Sequence, residues 1–133
     1  MKTRDALLLL GRALGAYIFL GSGYTKLMTP VATKAYFVSV GVPMPEIAYW
    51  FAVATELLGS IGLLLGLQVQ AAAFLLAAYC VATAIMVQMD FSDAQKYIHF
   101  RKNLAMAGGY IAFIAVGAGA YSVDALLARW RER

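Results

Sequence analysis

The stretch from Pro45 to Leu67 reads PEIAYWFAVATELLGSIGLLLGL. It is apolar for long enough to cross a bilayer, where about 20 residues at a helical rise of ~1.5 Å match the hydrocarbon core. Near its middle sits one carboxylate, Glu56. A charge at the bilayer centre costs about 2.5–3.5 kcal/mol on insertion scales, so it persists where it faces other protein and finds a partner. Reading outward from this stretch therefore means asking which group meets Glu56.

The chain of 133 residues is 62% hydrophobic and 14% charged, with a formal net charge of +4. A soluble domain carries about 45–50% apolar and ~25% charged residues, so lipid, not water, is the expected solvent. The modest positive charge suits anionic headgroups at basic chain ends. No cluster of Lys and Arg with interleaved aromatics points to nucleic acid. One Cys (Cys80) and one His (His99) exclude an intrachain disulfide, a CxxC pair and an ordinary four-ligand zinc site. They also exclude bis-histidine haem within one chain. No GxGxxG follows a strand, so no flavin or nicotinamide fingerprint is present. No intrinsic cofactor and no metal site are expected.

Residues 6–28, ALLLLGRALGAYIFLGSGYTKLM, read as an uncleaved first span, because Arg12 interrupts what would be the apolar region of a signal peptide. Gly11 and Gly15 form a GxxxG pair that admits a close neighbour. Residues 29–44 are too polar and too short to span; Val31, Tyr36, Phe37 and Val40 fit a short interfacial helix or an interfacial loop. Pro45 opens the second span (45–67), with Tyr49 and Trp50 placed as an interfacial aromatic belt. Within it Glu56, Gly59 and Ser60 share a face. A very short turn forces an antiparallel third span (71–89), uncharged, with Cys80 as packing. Residues 90–102 are the most polar of the chain, and the fourth span is expected over 103–121. Its Ala105, Gly108, Ala112, Ala115 and Gly119 form a small-residue stripe for close helix contact. The basic tail SVDALLARWRER is amphipathic, with Trp130 at headgroup level. The expectation is one all-α domain over residues 1–133: an integral membrane four-helix bundle with a short interfacial segment between helices 1 and 2. Lys and Arg counts in the loops slightly favour cytoplasmic termini.

The candidate site residues are the polar groups in or at the edges of these spans: Arg12, Lys26, Glu56, His99, Lys102 and Asn103. Counting depths from the span ends places Arg12 within roughly 8 Å of Glu56 along the axis, and the two are expected to pair. Such a pair either fixes helix register or relays a proton. Lys26 either snorkels to the headgroups or donates into a pocket. His99 reads as an interfacial anchor or a ligand donor, and Asn103 as a helix N-cap or a site residue. Asp124 either caps the tail helix or pairs with its arginines.

The order of motifs carries a resemblance. Arg12, FLGSGYTKL (19–27), YFVSVGVPMP (36–45), ATELLGSIGLLLGL (54–67), FRKNLAMAGGY (100–110) and GAGAYSVD (117–124) together resemble the DoxX family of small bacterial inner-membrane proteins. The resemblance covers nearly the whole chain and implies a multi-pass bundle in the bacterial inner membrane. It also implies an association with respiratory or sulfur redox chemistry, as relatives are named subunits of quinone- or quinol-reacting oxidoreductases. The family's polar signature falls on Arg12, Lys26, Glu56, Lys102 and Asn103; where relatives have a histidine near the end of the third helix, this chain has Gln88.

Two functional readings follow. In the first, the chain binds a quinone and assists a redox enzyme partner. Lys26, His99 and Lys102 supply donors, Arg12 and Glu56 relay a proton, and Tyr24 and Tyr97 stack on the ring. In the second it is a non-catalytic scaffold or small-molecule or lipid carrier, with small-residue stripes serving partner or homo-oligomer contacts. Convergence of the polar residues on one cavity favours the first; separate pairing favours the second. No catalytic residue is assigned.

Overall fold

With no breaker after its opening proline, Pro45–Leu65 forms one continuous helix in the computed structural model, which describes residues 2–133. Pro45 takes the first turn, where its missing N–H is no loss, and Gly66 ends the helix at φ 73°. Leu67 N donates to Gly62 O (2.8 Å) and Gly66 N to Leu63 O (3.3 Å), the paired bonds of a Schellman ending. The described residues contain five further helices, so in chain order they are α1 (Lys2–Met28), α2 (Pro30–Ser39), α3 (Pro45–Leu65), α4 (Val69–Val87), α5 (Ala94–Val116) and α6 (Val123–Arg131). No described residue lies in a strand.

The long helices pack side by side: α1 along α3, α3 along α4, and α4 along α5. Gly15 of α1 lies against Leu63 of α3, and Gly23 against Glu56 and Leu57, so α1 and α3 run antiparallel. The GxxxG pair of α1 does admit close neighbours: Gly11 faces Phe113 and Gly15 faces Tyr110, both on α5. One core cluster joins Ala16 and Phe19 to Leu63, Val69, Ala73, Leu76, Cys80, Ala107 and Tyr110. A smaller one sets Phe37 of α2 against Tyr49, Ala52 and Val53 of α3.

Among the described residues, three helices (α1, α3 and α4) are long and apolar enough to cross a membrane. The fourth long helix differs from expectation at both ends. It starts at Ala94, because Asp93 accepts from Gln95 N (2.9 Å) and Lys96 N (3.3 Å), and it stops at Val116 before Gly117 at φ 74°. Its first turns therefore carry Lys96, Arg101 and Lys102, which dilute its apolarity. The residues between α1 and α3 do form a short helix, α2, with Phe37 buried and Val31 and Tyr36 exposed. Tyr49 is not part of an aromatic belt: it is 1% exposed, and its hydroxyl donates to Lys26 O (3.0 Å). Within α5 the small-residue stripe, Ala105, Gly108, Ala112 and Ala115, faces outward, with nothing within 4 Å of a side chain placed at Gly108; Gly119 lies beyond the helix and packs against Leu8. The face that packs carries Asn103, Ala107 and Tyr110 instead.

Candidate functional site

Glu56 is buried in α3 and is held from two sides. Lys26 of α1 reaches it, with Nζ 3.0 Å from Oε1 and 3.2 Å from Oε2. The same ammonium donates to Ser22 Oγ (2.7 Å), one turn back on α1. From α4, Tyr79 OH donates to Glu56 Oε1 (2.5 Å). Three helices thus supply one network, with the carboxylate side chain 2% exposed and the ammonium 22%.

The network forms part of the wall of a cavity of about 480 Å³, within the size range of small-molecule sites. Its lining is mostly apolar, including Ile18, Phe19, Phe37, Phe51 and Met106. At its α5 side His99, Lys102 and Asn103 face it. Lys102 Nζ lies 3.1 Å from His99 Nδ1, and Asn103 Nδ2 donates to Gln88 Oε1 (2.7 Å). Five of the six predicted residues, Lys26, Glu56, His99, Lys102 and Asn103, therefore converge on one cavity. Asn103 is not an N-cap; it sits inside α5, buried against α4, because Asp93 starts the helix three turns earlier. In the adjoining loop, hydrogen bonds from Ser92 Oγ and then Ser92 N hold the Asp90 carboxyl below the usual carboxylate range.

Arg12 lies elsewhere, and the expected Arg12–Glu56 pair is not formed. In the antiparallel register of α1 and α3, Arg12 meets the end of α3, at Gly66. That is ten residues past Glu56, roughly 15 Å along the axis. The depth count failed because it set the ends of the two helices flush, whereas α1 runs about ten residues past the end of α3, so that Lys26 and not Arg12 falls level with the carboxylate. Arg12 is fully buried and donates to Leu63 O and Leu64 O (3.4 Å each) and to Tyr121 O. A guanidinium there satisfies the Leu64 carbonyl and reinforces that of Leu63 at the negative end of the α3 dipole.

Tyr79 was not singled out from sequence, yet it touches both Glu56 and the cavity. The signal was present: Tyr79 and Thr83 are hydroxyl residues four apart on a helix that is apolar after Gln70 in its first turn, hence on one face, and both line the cavity. Tyr24 and Tyr97, expected to stack on a ring, are outside the cavity lining and exposed. Phe19 instead stands edge-on to Tyr79, with centroids 5.6 Å apart.

The DoxX family model matches residues 7–89, which include α1 to α4 almost whole. The chain belongs to the DoxX family. Similar proteins of Escherichia coli K12 include the inner membrane protein YqjF, 29% identical over 129 residues and 95% of each chain. Another is the inner membrane protein YphA, 33% identical over 126 residues, 91% of this chain and 90% of that one. No solved structure matches. This DoxX chain is thus a small membrane protein whose relatives lie in the bacterial inner membrane. The match ends just after Gln88, so of the cavity only the α5 contribution falls outside it.

Proposed function

We propose that this DoxX protein binds a quinone in the α1–α3–α4–α5 cavity and serves a membrane oxidoreductase as an accessory subunit. The observation that carries the reading is the convergence of the Lys26–Glu56–Tyr79 network, built on the buried Glu56, with His99, Lys102 and Asn103 on one largely apolar cavity. An isolated structural ion pair needs no cavity beside it. A quinone offers an apolar ring and tail to the Phe19, Phe37 and Met106 surfaces and carbonyl oxygens to the donors. Its reduction takes two electrons, supplied by the partner enzyme, and two protons, one for each oxygen. In this reading Glu56, which accepts from a hydroxyl and an ammonium, passes them.

In this reading α5 is a fourth span and completes a four-helix bundle, with both termini on the cytoplasmic side. Support comes from its running the full depth of α4: Asn103 bonds Gln88 at one end, and Gln70 Nε2 donates to Ile114 O (2.8 Å) at the other. A second reading, a scaffold that self-associates without a ligand, is favoured by the outward small-residue face of α5.

The test is mass spectrometry of small molecules retained by the protein in mild detergent. Near-stoichiometric quinone in the wild type, lost in Lys26→Ala, Glu56→Gln and the cavity-filling Thr83→Phe, supports the first reading. A stable protein without quinone supports the second.

A further inference from the structure

The chain after α5 is tied firmly to the far end of the molecule. Asp124 N donates to Gly66 O (2.9 Å), while its carboxylate accepts from Gln68 N (2.8 Å) and Val69 N (3.2 Å) and so caps α4. Asp5 accepts from Ala120 N (3.0 Å), and Arg12 holds Tyr121 O. These bonds place the start of α6 on the α3–α4 turn. Both α3 and α4 are long and apolar enough to cross a membrane, so their connecting turn lies at a membrane edge. The helix α6 therefore leaves the bundle at headgroup depth.

Beyond its first residues α6 is uncovered. Leu126, Leu127 and Trp130 are 50%, 41% and 69% exposed, and their i, i+1, i+4 spacing puts them on one arc. At 3.6 residues per turn Arg129 and Arg131 flank that arc on its two sides, and Glu132 lies opposite. Neither arginine has an ion-pair partner among the described residues. The acidic groups nearby, Asp5 and Asp124, are taken up by backbone N–H groups. Lys2 and Arg4, on the α1 turn that Asp5 ties to the tail, are exposed as well. An apolar arc flanked by unpaired arginines at headgroup depth fits a layer of phosphate-bearing headgroups over acyl chains.

We propose that α6 is a binding surface for anionic phospholipid, with Trp130 and the two leucines seated in the interface and Arg129, Arg131 and Arg133 on lipid phosphates. This surface lies at the opposite end from the cavity and does not depend on what the cavity holds.

The full chain carrying Trp50→Phe has Trp130 as its one tryptophan. It is reconstituted into phosphatidylcholine vesicles containing 30% phosphatidylglycerol, with bromine on the chains of either lipid at equal mole fraction. The expected result is quenching of Trp130 by both, with a roughly threefold excess for brominated phosphatidylglycerol, since each basic residue near the surface favours anionic lipid. That excess disappears in 0.5 M salt and in the Arg129→Gln/Arg131→Gln/Arg133→Gln variant, which alters exposed side chains and keeps its helical circular dichroism. Equal quenching by the two lipids overturns the proposal. So does a Trp130 that no bromolipid quenches and iodide reaches freely. A Trp130 shielded in native membranes but unquenched in vesicles also overturns it, in favour of a protein partner.

Discussion

Removing one member of the Lys26–Glu56 pair should not cost the same in the two directions. Breaking a buried pair costs about 3–5 kcal/mol when the remaining charge is stranded. Lys26→Met strands a carboxylate whose side chain is 2% exposed and leaves it only the Tyr79 hydroxyl, so the full range applies. Glu56→Gln strands an ammonium that is 22% exposed and open to the cavity, where it can take up water. The amide oxygen keeps an acceptor for Tyr79, and the expected loss is about 1–2 kcal/mol. The double variant has no stranded charge, so its loss should fall about 2 kcal/mol short of the sum of the singles. Heating the purified protein in detergent and following the folded fraction by size exclusion reads these values. At about 3–5 °C per kcal/mol for a chain of this length, Lys26→Met should unfold roughly 10–20 °C early and Glu56→Gln about 5 °C early. Equal losses in the two singles, or a double variant that loses their full sum, would refute the geometry that sets Glu56 as the buried partner.

The other end of the molecule makes its own predictions. Arg12→Met leaves the carbonyls of Leu63, Leu64 and Tyr121 without their charged donor and should cost about 3 kcal/mol or more, read in the same heating assay; a shift under 2 °C would contradict the contacts. Gly66→Ala combines a φ of 73° with a side chain driven into Arg12 and Ser122, so folded yield should collapse, whereas Gly109→Ala meets open space and should express as wild type. Asp124→Ala removes the carboxylate cap from Gln68 N and Val69 N, which should cost about 1–2 kcal/mol and raise the rate at which protease releases the last residues of the chain.

The long apolar runs, the short turn at Gly66–Gln68 and the stop at Gly41–Pro45 are local signals, and each marks an observed helix boundary within a few residues. Part of the cavity's polar lining was legible for the same reason: a charged or amide group inside or beside an apolar run is costly unless used, so Lys26, Glu56, Lys102 and Asn103 stood out, although the same rule also picked Arg12 and passed over Tyr79. Pairing was not legible, because it depends on the axial register of α1 against α3. That register is set by Gly15 on Leu63 and Gly23 on Leu57, contacts that carry no charge pattern. The start of α5 was missed because a run of polar residues reads as loop, although Asp93 followed by Gln95 and Lys96 is an ordinary capped first turn. The outward stripe of α5 shows the converse error: small residues permit close packing but do not require it, and the larger Tyr110 and Phe113 took the inward face.

Arg12, fully buried, and Lys26, half-buried, do different jobs, and the difference lies in what each one meets. Arg12 donates to backbone carbonyls at a helix end, partners that cannot change protonation state, in a place with no room beside it. Such a contact fixes the fold and can do little else. Lys26 meets a carboxylate that also accepts from a phenol, and all three side chains border empty volume. A Lys–Glu–Tyr set has more than one way to arrange its hydrogen bonds, and a ligand oxygen in the cavity would select among them. Packing of Leu63, Val69, Ala73 and Tyr110 fills the half of the molecule nearest Arg12, and the cavity lies in the other half. If the cavity were merely a packing defect, an added short-chain quinone should stabilise neither the wild type nor the cavity-filling Thr83→Phe. If the cavity is a binding site, the same substitution should leave the apo protein about as stable and abolish the stabilisation that an added short-chain quinone gives the wild type.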